Sequence, residues 1–206
     1  GIIAGIKEGK LIDKIIRGYC YIIMSTPTFW LGILFIILFS VKLGWFPVAL
    51  SVPIGVLSEN VGFAERMQHI ILPALTLSII SISSICMNTR QKVIEIMESD
   101  YILFAKARGE SQISIIFNHV LKNVSLPAIT LQFLSFSELF GGTIFVEQVF
   151  SYPGLGQATV SAGLKGDLPL LMGIAIISLV FVYSGNIIAD LLYRVIDPRI
   201  KEGQNL

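Results

Sequence analysis

The stretch PLLMGIAIISLVFVYSGNIIADLLY, residues 169–193, carries one charged side chain, Asp190, close to its end. About 20 predominantly apolar residues are enough to take a helix across the hydrocarbon core of a bilayer. The apolar residues here run on without alternating, which suits a helix and not a barrel strand. Three further stretches have the same character: YCYIIMSTPTFWLGILFIILFSV at 19–41, the run from Ile70 to Met87, and VSLPAITLQFLSFSELFGGTIFV at 124–146. The sequence therefore predicts an all-α integral membrane protein with four transmembrane helices. Bulk composition agrees. Charged residues make up 14% of the chain and the mean hydropathy is +0.78, whereas a soluble domain carries about 25% charged residues.

The basic residues orient these spans. Segments 1–18, 88–123 and 194–206 hold Lys7, Lys10, Lys14, Arg17, Arg90, Lys92, Lys106, Arg108, Lys122, Arg194, Arg199 and Lys201. Segments 42–69 and 147–168 hold only Lys42, Arg66 and Lys165. Lys and Arg collect on the cytoplasmic side of membrane proteins, so the first three segments are expected inside and the other two outside. Trp45, Phe46, Phe150 and Tyr152 in the external segments fit aromatic anchors at the membrane surface. Asp167 is placed to cap the fourth span, with Pro169 in its first turn, and Asp197-Pro198 to stop it. Pro27, Pro73 and Pro127 fall inside or near the start of spans, as tolerated kinks or as hinges along a pathway. Cys20 and Cys86, both in apolar runs, read as packing residues with no disulfide or metal pattern. The opening GIIAGIKEG has the character of a helix tail and not of a signal peptide, which gives the expectation of a chain incomplete at its N-terminus.

DYILFAKARGESQISIIFNHVLKN, residues 100–123, stands out in so apolar a chain. Ile113, Ile116, Phe117, Val120, Leu121 and Val124 are spaced as one apolar stripe on a helix, with His119, Lys122 and Asn123 off it. Val93, Met97, Tyr101, Phe104 and Ala105 make an earlier stripe. Arg108-Gly109-Glu110-Ser111 separates the two; Gly109 lets the chain turn and Ser111 can cap the next helix. The spacing predicts helix, tight turn, helix. On pattern alone such a hairpin can cover the bundle, lie on the lipid surface, or dock in a partner's groove.

Several chemistries are excluded. There is no G-x-x-x-x-G-K-[ST] phosphate loop, since PGLGQATV at 153–160 lacks the lysine and the spacing, and no H-E-x-x-H or G-x-S-x-G. His69 and His119 are isolated from one another and do not make a metal site. Glu138 lies inside the third span, where an acidic group costs about 2.5–3.5 kcal/mol on insertion scales. It is expected to face other helices or a wet pathway, and Gly141 and Gly142 one turn on allow close helix approach. A place on a translocation path and an interhelical hydrogen bond both stay open for Glu138. Glu147 is expected at the external mouth, and Asp190 in a pair with Arg194 at i, i+4.

Tyr101-Ile-Leu-Phe-Ala105-Lys106-Ala107-Arg108-Gly109 resembles the short cytoplasmic motif of ABC importer permeases, in the form used by the dipeptide, oligopeptide and nickel branch. The general motif's leading Glu-Ala is Leu103-Phe104 here. The likeness extends in order through STPTFWLGILFIILFSVKLGWFP (25–47), LPALTLS (72–78), FGGTIFVEQVFSYPGLG (140–156) and DPRIK (197–201). It implies a type I ABC importer permease fold: residues 1–18 as a cytoplasmic remnant, 19–206 as one transmembrane permease domain, and 88–123 as its cytoplasmic coupling loop. Permeases of this branch usually have six spans, so the resemblance implies that the first two and a large external loop are absent. Leu103, Phe104, Ala105, Ala107, Gly109, Glu110 and Ser111 would couple to an ATPase, and Glu138, Gly141 and Gly142 would lie on the pathway. The implied partners are a second homologous permease, two cytoplasmic ATPase subunits that bind ATP and Mg, and an extracytoplasmic solute-binding protein. This chain itself would hold no cofactor or metal, would be no enzyme, and would sit in a bacterial cytoplasmic membrane carrying peptides or nickel. A channel or ion-driven carrier is the alternative, and ionisable residues in several spans would be its sign.

Overall fold

The computed structural model describes residues 1–56 and 58–196, apart from the side chains at 58, 126, 134, 136–142 and 193–196. Every regular element among the described residues is helical. In chain order these are α1 (Ile2–Ile6), α2 (Leu11–Ser25), α3 (Thr28–Phe35), α4 (Phe63–Met97), α5 (Asp100–Ala107), α6 (Gln112–Ile115), α7 (Leu121–Val149), α8 (Leu155–Lys165) and α9 (Leu168–Ile196). Wider π-type turns extend α3 over Ile36–Lys42 and join α6 to α7 over Ile116–Val120, and a 3-10 turn covers Ser58–Asn60.

Local chemistry sets the ends of the long helices. The Glu65 carboxylate accepts the Gly62 N–H at 3.1 Å at the start of α4. Asp167 accepts the Leu170 N–H at 3.0 Å at the start of α9, the cap the sequence predicts. α4 has 35 residues and α9 has 29. At about 1.5 Å per residue they are roughly 53 and 43 Å long, more than the roughly 30 Å of a bilayer core. Both are long and apolar enough to cross a membrane. Only 11% of the most apolar window of α9 is buried within the protein, and Met172, Ile176, Leu179 and Tyr183 are exposed. A helix this apolar with its apolar side chains uncovered belongs in lipid.

The four predicted spans are corrected in detail. The run at 19–41 is not one helix: Pro27, with φ −59 and ψ 135, is extended, and α2 and α3 are separate and bent at the break. Proline has no N–H to continue the helix and pushes the preceding residue out of helical geometry. With that pair counted as one broken span, three elements qualify by length and composition among the described residues. The stretch at 70–87 falls inside the longer α4, and those at 124–146 and 169–193 fall inside α7 and α9. Pro73 and Pro127 lie within continuous helices. Segments 42–69 and 147–168, expected as loops, contain the start of α4 and all of α8. Asp197-Pro198 and the DPRIK motif lie outside the described residues, as does the Arg194 side chain expected to pair with Asp190.

The chain forms two compact units. Among the described residues, one holds 1–24, 82–135 and 183–196. Its apolar core is Val93, Ile96, Ile102, Ala105, Ile115, Val120 and Val124, with Ile2, Ile6 and Met97 packed against it. Cys20 and Cys86 meet in this unit and remain free thiols. The other unit holds residues 25–81 and 136–182. Its core is Leu72, Val146 and Phe150, surrounded by Phe35, Phe39, Phe46 and Tyr152. Phe150 is buried there and is a packing residue, not the surface anchor the sequence suggests, whereas Trp45 is exposed.

Candidate functional site

The segment at 100–123 folds as helix, turn, helix. Ser99, in extended backbone, interrupts the helical path between α4 and α5. That break resets which residues face inward. Ile102 and Ala105 of α5 are buried against Val93 and Ile96, while Tyr101, Leu103 and Phe104 are exposed. The predicted stripe through Tyr101 and Phe104 is therefore corrected, and Ala105 belongs to the core and not to an exposed grip. A second correction has the same kind of cause. The π-type turns at Ile116–Val120 hold more residues per turn than an α-helix. Ile115, Val120 and Val124 are buried, and Ile113 and Phe117, 69% and 66% exposed, point away.

The turn between the helices is braced on several sides. Gly109 has φ +82, a left-handed conformation open to glycine at no steric cost. Its N–H donates to the Lys106 carbonyl at 3.0 Å, and the Glu110 N–H donates to the Ala105 carbonyl at 3.2 Å. The Ser111 hydroxyl oxygen accepts the Ser114 N–H at 3.3 Å, the predicted cap. Glu110 pairs with Arg108 on one side and lies 3.1 Å from His119 Nε2 on the other. These contacts hold the Glu110 carboxyl below its ordinary range, with Arg108 the larger cause and His119 the next. The Arg108 guanidinium sits 5.5 Å above the Phe104 ring, a cation–π contact. Asn123 Nδ2 donates to the Tyr101 hydroxyl at 3.3 Å and ties the start of α7 back to α5. Leu103, Phe104 and Ala107 of α5 and Gly109 of the turn are exposed, with Ser111 exposed beside them.

Glu138, Gly141 and Gly142 lie along α7, and their surroundings fall outside the described side chains. His69 Nδ1 is 2.9 Å from the Leu50 carbonyl oxygen. Among the described residues no cluster of three or more His, Cys, Asp or Glu is placed to hold a metal ion.

One buried charge cluster escaped the sequence. Asp13, fully buried, accepts from Arg90 Nε at 2.6 Å and Nη2 at 2.9 Å, and from the Gly9 N–H at 2.9 Å. Arg17 Nε lies 3.4 Å away and Glu8 reaches Arg90 at 3.8 Å. Asp13 and Arg90 stand 77 positions apart, so no local spacing links them. Only the position of Asp13 in the first turn of α2, where acidic residues favour the helix, is visible locally.

Apolar helices of membrane length together with a charged, braced helical hairpin define a helical membrane protein. Over residues 1–202 the chain matches the family of binding-protein-dependent transport system inner membrane components, and it belongs to that family. It is 35% identical over 201 residues to the oligopeptide transport system permease protein AppB of Bacillus subtilis, covering 98% of this chain and 63% of that protein. It is 32% identical over 216 residues to the di/tripeptide transport system permease protein DppB of Pseudomonas aeruginosa, covering 98% and 64%. It is 31% identical over 219 residues to the dipeptide transport system permease protein DppB of Escherichia coli, covering 98% and 65%. The chain thus spans a little under two thirds of the length of these relatives.

Proposed function

We propose that the chain is a transmembrane subunit of an ATP-driven importer in the bacterial cytoplasmic membrane, forming part of the route by which short peptides cross. The observation that carries this is the family match over nearly the whole chain. The peptide substrates in the names of its relatives favour peptides over nickel. In a type I importer arrangement four segments cross the bilayer: the broken α2–α3 pair, α4, α7 and α9. The hairpin at 100–123 then lies in the cytoplasm. Its charged residues suit water, and Leu103 and Phe104 offer an apolar grip to an ATPase subunit. Ala107, Gly109, Glu110 and Ser111 shape the turn that presents them, and Ala105 anchors it to the core. ATP and Mg belong to that ATPase. A second homologous permease, a second ATPase and an extracytoplasmic solute-binding protein complete the assembly. Closure of the ATPases on ATP pulls the hairpins and rocks the spans as a rigid-body switch. Glu138, Gly141 and Gly142 lie on the path.

The test is reconstitution with the ATPase subunits and the binding protein in vesicles. Peptide uptake should depend on ATP, and Gly109→Trp should insert normally while uptake falls away from ATP hydrolysis. Uptake that follows an ion gradient without an ATPase would overturn the proposal in favour of an ion-driven carrier.

A further inference from the structure

PGLG at 153–156 is no phosphate loop, which leaves its two glycines to be explained. Glu147 stands in the last turn of α7, and its carboxylate lies against the N-terminus of α8. The Gln157 N–H donates to Oε2 at 2.7 Å and the Gly156 N–H to Oε1 at 3.3 Å. The Gln157 side-chain amide donates to the Glu147 carbonyl oxygen at 2.8 Å, which also accepts the Tyr152 N–H at 2.9 Å. The first N–H groups of a helix lack partners inside the helix and carry partial positive charge. Gly154, the residue before α8, has no side chain to supply an acceptor, and Glu147 supplies it from α7.

The glycines make room for this contact. Gly154 has φ −117 and ψ −176, a backbone any residue adopts. Yet a Cβ there would lie 2.2 Å from Glu147 Oε1 and 2.8 Å from Oε2. A Cβ on Gly156 would lie 2.9 Å from Oε2 and 2.7 Å from Ile144 Cγ1. Each oxygen of the carboxylate already accepts a backbone N–H, so its charge is directed at the chain itself.

We infer that Glu147 is a positioning residue: its carboxylate fastens α8 to the end of α7, and this fastening holds α8 where transport needs it. The second half rests on the proposed importer function; the first does not. The test uses the full-length permease with its partner subunits in lipid vesicles, carrying a spin label at Ser161→Cys on α8 with Cys20 and Cys86 replaced by Ala. Label mobility and peptide uptake are measured together. Glu147→Ala should mobilise the label and lower maximal uptake by at least about tenfold, given the strength of hydrogen bonds to a charged acceptor, with KM little changed. Glu147→Gln keeps one acceptor oxygen but turns an NH2 donor toward the second backbone N–H, and should fall between the parent and Glu147→Ala in both readings. Gly154→Ala should mobilise the label in the parent, and add nothing in the Glu147→Ala background, where its clash is gone. An immobile label in Glu147→Ala, or effects of the two substitutions that simply add, overturns the fastening. A mobile label with uptake unchanged overturns its role in transport. A raised KM with the label unmoved makes Glu147 a substrate contact and overturns the inference as well. If the parent itself shows no uptake, the importer function fails, and the label with the Glu147–Gly154 cycle still decides the fastening.

Discussion

Glu110 joins three contacts: its pair with Arg108, its approach to His119, and the backbone bond to Ala105. The two side-chain contacts favour the carboxylate, so the folded pKa is depressed. The stability they contribute is present above the ordinary glutamate value, about 4.3, and is lost as pH falls through the lower folded value. Amide exchange at residues 108–112, extrapolated to a common pH, should therefore quicken in acid, and Glu110→Gln should remove that dependence. The Asp13–Arg90 pair is a different case because both side chains are shielded from water. Removing one partner of a buried ion pair and leaving the other charge uncompensated costs about 3–5 kcal/mol. Arg90→Ala leaves Asp13 with Arg17 and the Gly9 N–H, so it should lower unfolding stability in lipid-like micelles by less than that figure. Asp13→Leu/Arg90→Leu should cost clearly less than the two single changes together, since neither charge is then left alone.

At the scale of the element, the hairpin separates the side chains that hold it from those it displays. Ala105 and Ile115 are inside; Leu103 and Phe104 are outside. Leu103→Asp should leave thermal unfolding nearly unchanged, Phe104→Asp should lose only the exposed Arg108 contact, up to about 1 kcal/mol, and both should weaken co-purification with the proposed ATPase partner. Ala105→Asp places an unpaired carboxylate in the core and should destabilise the hairpin itself, by several kcal/mol. Equal effects of all three on unfolding would contradict this division. The distinction was out of reach of a regular 3.6-residue period. Ser99 and the π-type turns at Ile116–Val120 each shift the helical phase, and a stripe counted through such a shift assigns Tyr101, Phe104, Ile113 and Phe117 to the wrong face.

At the scale of the whole molecule, the proposed importer fixes the sidedness of the hairpin. A cysteine at Ser111, in a chain with Cys20 and Cys86 replaced, should react with a membrane-impermeant thiol reagent only after the cells are opened. Reaction in intact cells from outside would place the hairpin on the wrong face and remove its access to ATP-binding partners. If α7 is the span proposed, Glu138→Leu should fold at least as well as the parent, since it removes an acidic group from the bilayer interior, and its uptake kinetics should change if the residue lies on the path.

The sequence by itself determined the class of protein, because continuous apolar runs and the scarcity of charge are properties of local composition. It also located the caps at Asp167 and Ser111 and the turn at Gly109, since each depends on the residue and its near neighbours. The tertiary structure alone decided which apolar side chains of the hairpin are buried, the pairing of Asp13 with Arg90, and the seat of Glu147 between Gly154 and Gly156. Each of these depends on residues that meet across a helix break or between separate elements, and hydrogen bonds, ion pairs and close packing act through space whatever the distance along the chain.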